Sequence, residues 1–191
     1  MSHDRGSSGA ADGAPPPLFH VVLHEPEIPN NTGNIGRTCI ATGCALHLVR
    51  PLGFDTDVKA LRRAGLDYWP RLNVSEHDDW QAFLQRGDGG GPVESSRMWV
   101  FTTRCTRPVW QAELRRGDWL VFGKETRGLP QELIARYASR ALTLPMVVEE
   151  RSLNLATAVC AVVYEGLRQC VERGEVVLDG LGRIDRARGG G

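Results

Sequence analysis

Three segments of the chain combine glycine or proline with polar side chains that could act on a ligand. They are residues 25–38 (EPEIPNNTGNIGRT), 122–130 (FGKETRGLP) and 145–154 (PMVVEERSLN). In the first segment, a turn bearing glycine is followed by Arg37 near the start of a predicted helix. Helix N-termini attract anions, so this turn could hold a phosphate group. A simple turn with a solvated Arg37 explains the same pattern.

The second segment contains two glycines around a charged stretch. Gly123 allows a ligand to approach the backbone closely, and Gly128 allows a reversal of the chain. The order of residues differs from a Walker A phosphate loop. Lys124, Glu125 and Arg127 could therefore contact a ligand or form an exposed loop of mixed charge.

The third segment ends with two residues that commonly cap helices. Ser152 and Asn154 can each accept a hydrogen bond from the first turn of the following helix. They could also hydrogen-bond a substrate, and the two roles are compatible.

The elements that must position these segments alternate between strands and helices. Strands are predicted at residues 19–23, 45–49, 98–102, 119–122 and 141–144, and helices at 34–42, 57–65, 77–85, 130–137 and 154–171. The alternation predicts an α/β fold with a mostly parallel sheet flanked by helices. In such folds ligands bind at the carboxyl ends of the strands. The last helix is apolar on most sides, which predicts burial in the core or against another subunit.

Composition narrows the possible functions. The 191 residues include 23 basic and 23 acidic side chains, so any affinity for nucleic acid must come from a local patch. The five cysteines include no Cys-x-x-Cys pair, and we expect neither a disulfide framework nor a zinc site. Since no apolar run approaches the roughly 20 residues of a membrane span, we expect a cytoplasmic protein without a membrane partner.

The chain is predicted to form one domain. Residues 1–17 are rich in Gly, Ser, Ala and Pro and are expected to be a disordered leader. The domain is placed at residues 18–175 and a flexible tail at 176–191. A GDGGGP stretch within residues 86–96 is expected to be an exposed loop.

Taken together and in order, these motifs resemble a known family. Asn31 with Arg37, the FGKETRGLP segment, and LPM followed by RSLNL and YEGLRQ are similar to the three signature motifs of SPOUT-class RNA methyltransferases. Within that class the chain looks most like the short tRNA 2'-O-methyltransferases that modify the wobble nucleotide. The resemblance extends from about residue 19 to residue 169.

The resemblance implies a fold, a cofactor and partners. It implies a C-terminal deep trefoil knot, which sequence periodicity cannot reveal, and a homodimer. It implies S-adenosyl-L-methionine as methyl donor, no metal, and the ribose 2'-hydroxyl of cytidine or uridine 34 in the tRNA anticodon loop as acceptor. The matching cofactor-binding positions are Phe101, Thr102, Gly123, Leu144, Met146, Ser152 and Leu153.

The resemblance also implies roles for polar residues. Arg37 matches the arginine that activates the hydroxyl. Because an arginine with a pKa above about 12 is a poor base, we expect it to stabilise the developing alkoxide. Asn31 would orient its loop, and Glu125, Ser152 and Asn154 would complete the catalytic set, with Arg127 shaping the site.

RNA contacts are expected from Arg37, Arg62, Arg63 and Arg127. Tyr68 and Trp69 could stack on bases, although core packing explains these aromatics equally well. Lys124 stands where relatives commonly carry proline, and the sequence offers no role for it.

Other functions remain open at this point. The chain could be a SPOUT enzyme acting on another tRNA position or on rRNA, or a noncatalytic RNA-binding dimer. A nucleotide-binding structural protein is disfavoured because no phosphate loop has the required spacing.

Overall fold

The computed structural model describes residues 16–54, 68–86, 92–93 and 95–185. Its strands are β1 (Phe19–His24), β2 (Ala45–Val49), β3 (Val74–His77), β4 (Met98–Phe101), β5 (Asp118–Phe122), β6 (Ala141–Leu142), β7 (Val177–Leu178) and β8 (Ile184–Asp185). The α-helices of the described residues are α1 (Pro29–Thr42), α2 (Trp80–Arg86), α3 (Gln131–Arg136) and α4 (Leu155–Glu172).

Six strands form one parallel sheet in the order β3-β2-β1-β5-β4-β6. In β1, Val21 lies opposite Leu46 of β2 and Leu120 of β5. This arrangement confirms the predicted α/β fold with a mostly parallel sheet. It also brings the carboxyl ends of β1, β5, β4 and β6 together at one edge, although the segments that follow them are far apart in the sequence.

Helices cover both faces of the sheet because successive strand residues point to opposite sides. On one face, Val21 and Leu23 pack with Ile35 of α1 and Val162 of α4. On the other face, Val22 packs in a second cluster with residues of α2 and α3. The fold is therefore a three-layered α/β/α sandwich.

Helix α4 lies close against β1. A Cβ atom at Gly166 would be 2.5 Å from Cζ of the buried Phe19 ring, so glycine at this position sets the distance between helix and sheet. The opposite side of α4, with Ala161 and Tyr164, is exposed. The helix predicted to be apolar on most sides thus buries one broad face in the core.

A chain of three buried imidazoles crosses the second face of the sheet, and we call it the imidazole chain. Nδ1 of His20 lies 3.0 Å from Nε2 of His47, and Nδ1 of His47 lies 3.1 Å from Nε2 of His77. Burial, followed by the neighbouring His20 and His77, lowers the pKa of His47 well below its ordinary value. The folded protein therefore favours the neutral form of this ring.

The structure corrects several element boundaries. Helix α1 begins at Pro29 rather than at residue 34. Proline is well tolerated at the first helical position, because its missing N–H has no partner there in any case. Residues 74–77 form the edge strand β3, so the helix expected at 77–85 starts only at Trp80. This strand has a single large apolar residue, Val74, which explains why its pattern is weak. The helix predicted at 57–65 lies outside the described residues.

The structure describes residues 176–185 of the predicted tail. Val176 is buried against the main core, and β7 and β8 form a short antiparallel hairpin. The predicted leader, residues 1–17, lies outside the described residues except for residues 16 and 17, as does most of the GDGGGP stretch.

No described helix has both the length and the apolar character needed to cross a membrane. Within the same residues, no cluster of three or more His, Cys, Asp or Glu side chains is arranged to hold a metal ion.

Candidate active site

A cavity of about 710 Å³ opens at the carboxyl ends of β4, β5 and β6, beside the start of α4. This volume lies in the range of small-molecule and cofactor pockets. The loops after these strands supply most of its lining, which comprises Ile28, Asn31, residues 101–104, residues 122–129, residues 142–144, Met146, residues 151–155 and Ala158.

The floor of the cavity is aromatic and its wall is backbone. The rings of Phe101 and Phe122 stack with centroids 4.7 Å apart. Beside them, a Cβ atom at Gly123 would lie 2.1 Å from the carbonyl carbon of Gly128. Gly128 has a left-handed backbone (φ 68°), and its N–H donates to the carbonyl oxygen of Lys124 at 2.9 Å. The loop can close so tightly only because both positions are glycine.

The loop after β5 is joined to the loop after β1 through Glu125. Its carboxylate accepts hydrogen bonds from the backbone N–H groups of Glu27 (2.8 Å) and Ile28 (3.3 Å). It also accepts one from Nδ2 of Asn31 at 2.9 Å. Glu125 therefore acts in this structure as an acceptor that holds the start of α1 beside the cavity.

Asn31 passes this connection on to the N-terminus of α4. Its Oδ1 accepts a hydrogen bond from Nδ2 of Asn154 at 2.9 Å. Oδ1 of Asn154 caps α4, accepting from the N–H groups of Ala156 and Thr157. Because a carboxylate can only accept, Glu125 sets the orientation of the Asn31 amide, which in turn sets that of Asn154. We call these three residues the Glu125–Asn31–Asn154 relay.

Lys124, unexplained by the sequence, has a partner in the loop after β1. Its Nζ lies 2.6 Å from Oε2 of Glu25. Glu25 has a positive φ of 54°, a conformation that costs energy for a residue with a side chain. The ion pair fastens the side chain of this strained residue to the wall of the cavity.

A second acidic residue of the same loop strengthens the connection. Glu27 accepts hydrogen bonds from the N–H and the hydroxyl of Thr126, and these bonds lower the pKa of Glu27 below its ordinary value. The Glu25 and Glu27 contacts were missed by sequence reasoning. One sequence signal could have suggested them: Glu25 and Glu27 have the same spacing as Lys124 and Thr126, the residues that they contact.

The structure brings together most of the residues that the sequence singled out. All the predicted cofactor-binding positions line the cavity, namely Phe101, Thr102, Gly123, Leu144, Met146, Ser152 and Leu153. The cavity is also lined by Asn31, Glu125, Arg127 and Asn154.

Arg37 is placed elsewhere. It is exposed on α1 and is not part of the described lining of the cavity. Its guanidinium carbon lies 4.8 Å from the ring centroid of Tyr68, and the Tyr68 hydroxyl donates to the carbonyl of Gly33. Tyr68 is thus a buried packing residue in this structure. Arg62 and Arg63 lie outside the described residues.

Comparison with known proteins identifies the family of the chain. Residues 18–164 match the family described as SpoU rRNA Methylase. The chain belongs to this SpoU family.

Two curated members of the SpoU family share nearly half of their residues with the chain. It is 46% identical over 153 residues to the tRNA (cytidine(34)-2'-O)-methyltransferase of Saccharophagus degradans, covering 80% of this chain and 96% of that protein. It is 44% identical over 163 residues to the protein of the same name from Escherichia coli K12, covering 85% and 100%.

A solved structure from work on the 2-OH methylation of C/U34 on tRNA superposes with a TM-score of 0.72 at 45% identity. The superposition covers 83% of this chain and 94% of that one. The SpoU fold therefore extends over most of the described residues.

Proposed function

We propose that the protein transfers a methyl group from S-adenosyl-L-methionine to the ribose 2'-hydroxyl of the wobble nucleotide, cytidine or uridine 34, of tRNA. The observation that carries this proposal is that all the residues matching the family's cofactor-binding positions line one cavity. The names of the similar curated proteins support nucleotide 34 as the acceptor. A tRNA substrate also implies a cytoplasmic location.

The residues present fit a methyl donor of this kind. The stacked Phe101 and Phe122 rings offer an apolar floor, and the glycine-closed loop at Gly123 leaves backbone groups facing the cavity. Such a wall suits a nucleoside whose base and ribose bind main-chain donors and acceptors. When bound, the cofactor would supply an electrophilic methyl group on a positively charged sulfur.

The chain itself must position the hydroxyl and exclude water. Methyl transfer disperses charge, because negative charge grows on the attacking oxygen while the sulfonium charge is lost, so a dry site favours it. The Glu125–Asn31–Asn154 relay keeps three lining segments in one arrangement, and pre-organisation of this kind lowers the barrier of a bimolecular step. In this proposal Glu125, Asn31 and Asn154 are positioning residues, while Ser152 and Arg127 shape the rim.

We assign to Arg37 the stabilisation of the developing alkoxide, acting from the partner protomer of a homodimer. Its exposed position outside the cavity of its own protomer supports an action in trans. The dimer is supported by exposed apolar side chains at the cavity rim and on α4, such as Val148 (97% exposed), Leu153 (42%) and Tyr164 (51%). The hydroxyl proton would leave to phosphate or water, since arginine is a poor base.

The deep trefoil knot belongs to the same proposal. The tight closure of residues 123–128, and the parallel placement of β6 beside β4 before the chain enters α4, are compatible with a threaded C-terminal segment.

The proposal is tested by incubating the protein with labelled S-adenosyl-L-methionine and, in separate reactions, unmodified tRNA and unmodified rRNA, and mapping the methylated nucleotide. We expect 2'-O-methylation at position 34, and transfer to rRNA alone would show that the substrate is misassigned. Arg37→Ala should abolish transfer while leaving cofactor affinity nearly intact. Mixed dimers that combine an Arg37→Ala protomer with a Gly123→Ala protomer should regain part of the activity if Arg37 acts in trans.

A further inference from the structure

An arginine-rich surface adjoins the cavity at the β6 edge of the sheet. It is formed by Arg107, Trp110 and Arg140, and we call it the Arg–Trp surface. Residues 107–109 run beside the end of β6: Thr143 donates its N–H to the carbonyl of Arg107, and Val109 donates its N–H to the carbonyl of Thr143, both at 2.9 Å. Thr143 also lines the cavity. The surface and the cavity are therefore adjacent through Thr143.

The two arginines lie on one indole ring. The guanidinium carbon of Arg140 is 4.6 Å from the ring centroid of Trp99, and that of Arg107 is 5.5 Å from it. Arg107 also donates to the carbonyl oxygens of Gln111 (2.8 Å) and Ser139 (3.3 Å). Aromatic and carbonyl contacts orient these cations without neutralising them.

Their positive charge is not balanced by nearby acids. Within the described part of the chain, neither Arg107 nor Arg140 has a carboxylate within 4.0 Å, whereas Arg97, Arg168 and Arg183 each have at least one. Asp118, which accepts a hydrogen bond from Nε1 of the same Trp99 ring, is paired with Arg97. In a chain with zero net charge, two adjacent uncompensated arginines form a local anion-binding surface.

An exposed aromatic side chain completes the surface. Trp110 is 59% exposed, although Val109 beside it is buried and anchors the turn in the core. Arg107 holds the same turn through the carbonyl of Gln111, the residue after Trp110. Exposed aromatic rings together with arginines bind single-stranded nucleic acid, since rings stack on bases and arginines bind phosphates.

We propose that the Arg–Trp surface binds the single-stranded RNA that flanks the nucleotide entering the cavity, with Trp110 stacking on a base and Arg107 and Arg140 contacting phosphates. This inference rests on the proposed function, because it takes the substrate to be an RNA loop. It adds a second contact region, outside the cavity, that determines how the loop is held.

The inference predicts separate effects on affinity and on turnover. Trp110→Ala should raise the Kd for unmodified tRNA by roughly tenfold, and Trp110→Phe should restore most of the affinity because a ring is retained. The double variant Arg107→Gln/Arg140→Gln should reduce the slope of log Kd against log salt concentration by about 1.4. This is the value expected for the loss of two phosphate contacts on a single strand, about 0.7 for each. KM for tRNA should rise while kcat changes by less than about twofold.

The experiment measures fluorescence anisotropy of labelled tRNA, of a single-stranded oligonucleotide and of a duplex RNA of the same length. Arg107→Gln and Arg140→Gln are also measured singly. Arg183→Gln, which removes one exposed arginine from the β7–β8 hairpin, is the charge-matched control for each single variant and should bind like the wild-type protein. Arg140→Lys retains the charge and should retain the salt dependence. Thermal unfolding of each variant identifies any loss of binding that is caused by misfolding.

The outcomes separate this inference from the proposed function. If the variants bind single-stranded RNA and tRNA as the unmodified protein does, the surface is not an RNA-binding region, even if nucleotide 34 is methylated. Equal losses on duplex RNA and on the single strand would overturn the stacking role. Loss of single-strand binding in a protein that methylates no tRNA would support the surface and refute the proposed substrate.

Discussion

The Glu125–Asn31–Asn154 relay predicts that replacing Asn154 with aspartate destabilises the fold, whereas helix capping alone predicts little change. At an ordinary N-cap, aspartate and asparagine are about equally good. Asn154→Asp keeps the oxygen that caps α4 but replaces the Nδ2 donor with a second oxygen, 2.9 Å from Oδ1 of Asn31. Asn31 cannot turn its amide round, because its Nδ2 is held by the Glu125 carboxylate.

The magnitude follows from these contacts. Losing the hydrogen bond costs about 1 kcal/mol, and leaving the acceptor of the buried Asn31 opposite a negative oxygen adds about 1–2 kcal/mol. The better interaction of aspartate with the helix dipole returns about 0.5 kcal/mol. We therefore expect Asn154→Asp to lower the free energy of unfolding by about 2 kcal/mol.

A double-mutant cycle measured by urea unfolding isolates the contact. In the Asn31→Ala background the opposing oxygen is absent, so Asn154→Asp should cost less than about 0.5 kcal/mol. Asn34→Asp makes the same chemical change at an exposed position of α1 and serves as the control. An equal cost of Asn154→Asp in both backgrounds would refute the relay. Methyl transfer to tRNA should fall in parallel, since the relay holds the lining of the cavity.

Two further predictions concern the core. Because the pKa of His47 is lowered in the folded state, the unfolded chain binds more protons below its ordinary pKa of 6.5, so stability is present above that pH and lost below it. One such proton lowers the free energy of unfolding by about 1 kcal/mol between about pH 6.5 and 5.5, which urea unfolding at each pH measures. His47→Gln should flatten this pH dependence. A free energy of unfolding that rises on acidification would contradict the prediction. Gly166→Ala should destabilise the fold by about 1–2 kcal/mol in thermal unfolding, because its Cβ would meet the Phe19 ring and overpacking outweighs the gain in helix propensity. In the Gly166→Ala background, Phe19→Leu should relieve that cost. Gly180→Ala is the control and should be tolerated, since a Cβ there meets nothing within 4 Å. A Gly166→Ala protein of undiminished stability would show that α4 can move away from the sheet.

Local sequence patterns were sufficient for the central strands and for the segments that line the cavity. Short apolar runs such as residues 19–23 and 45–49 form strands because they are buried on both faces of a parallel sheet. Asn154 was recognisable as an N-cap because capping depends only on the next three residues. The edge strand β3 was missed because it is only partly buried, so its sequence does not need to be apolar.

The contacts between the lining segments depended on the tertiary structure. Glu125 lies 94 residues from Asn31, and Lys124 lies 99 residues from Glu25, yet both pairs are in contact. They meet because β5 lies beside β1 in the sheet, an order that no local pattern encodes. The position of Arg37 was decided in the same way, since the packing of α1 faces Asn31 toward the cavity and leaves Arg37 against Tyr68. The sequence by itself thus determined which segments line the cavity, because their glycines, prolines and caps are local features, while strand order and helix packing decided which of their side chains meet.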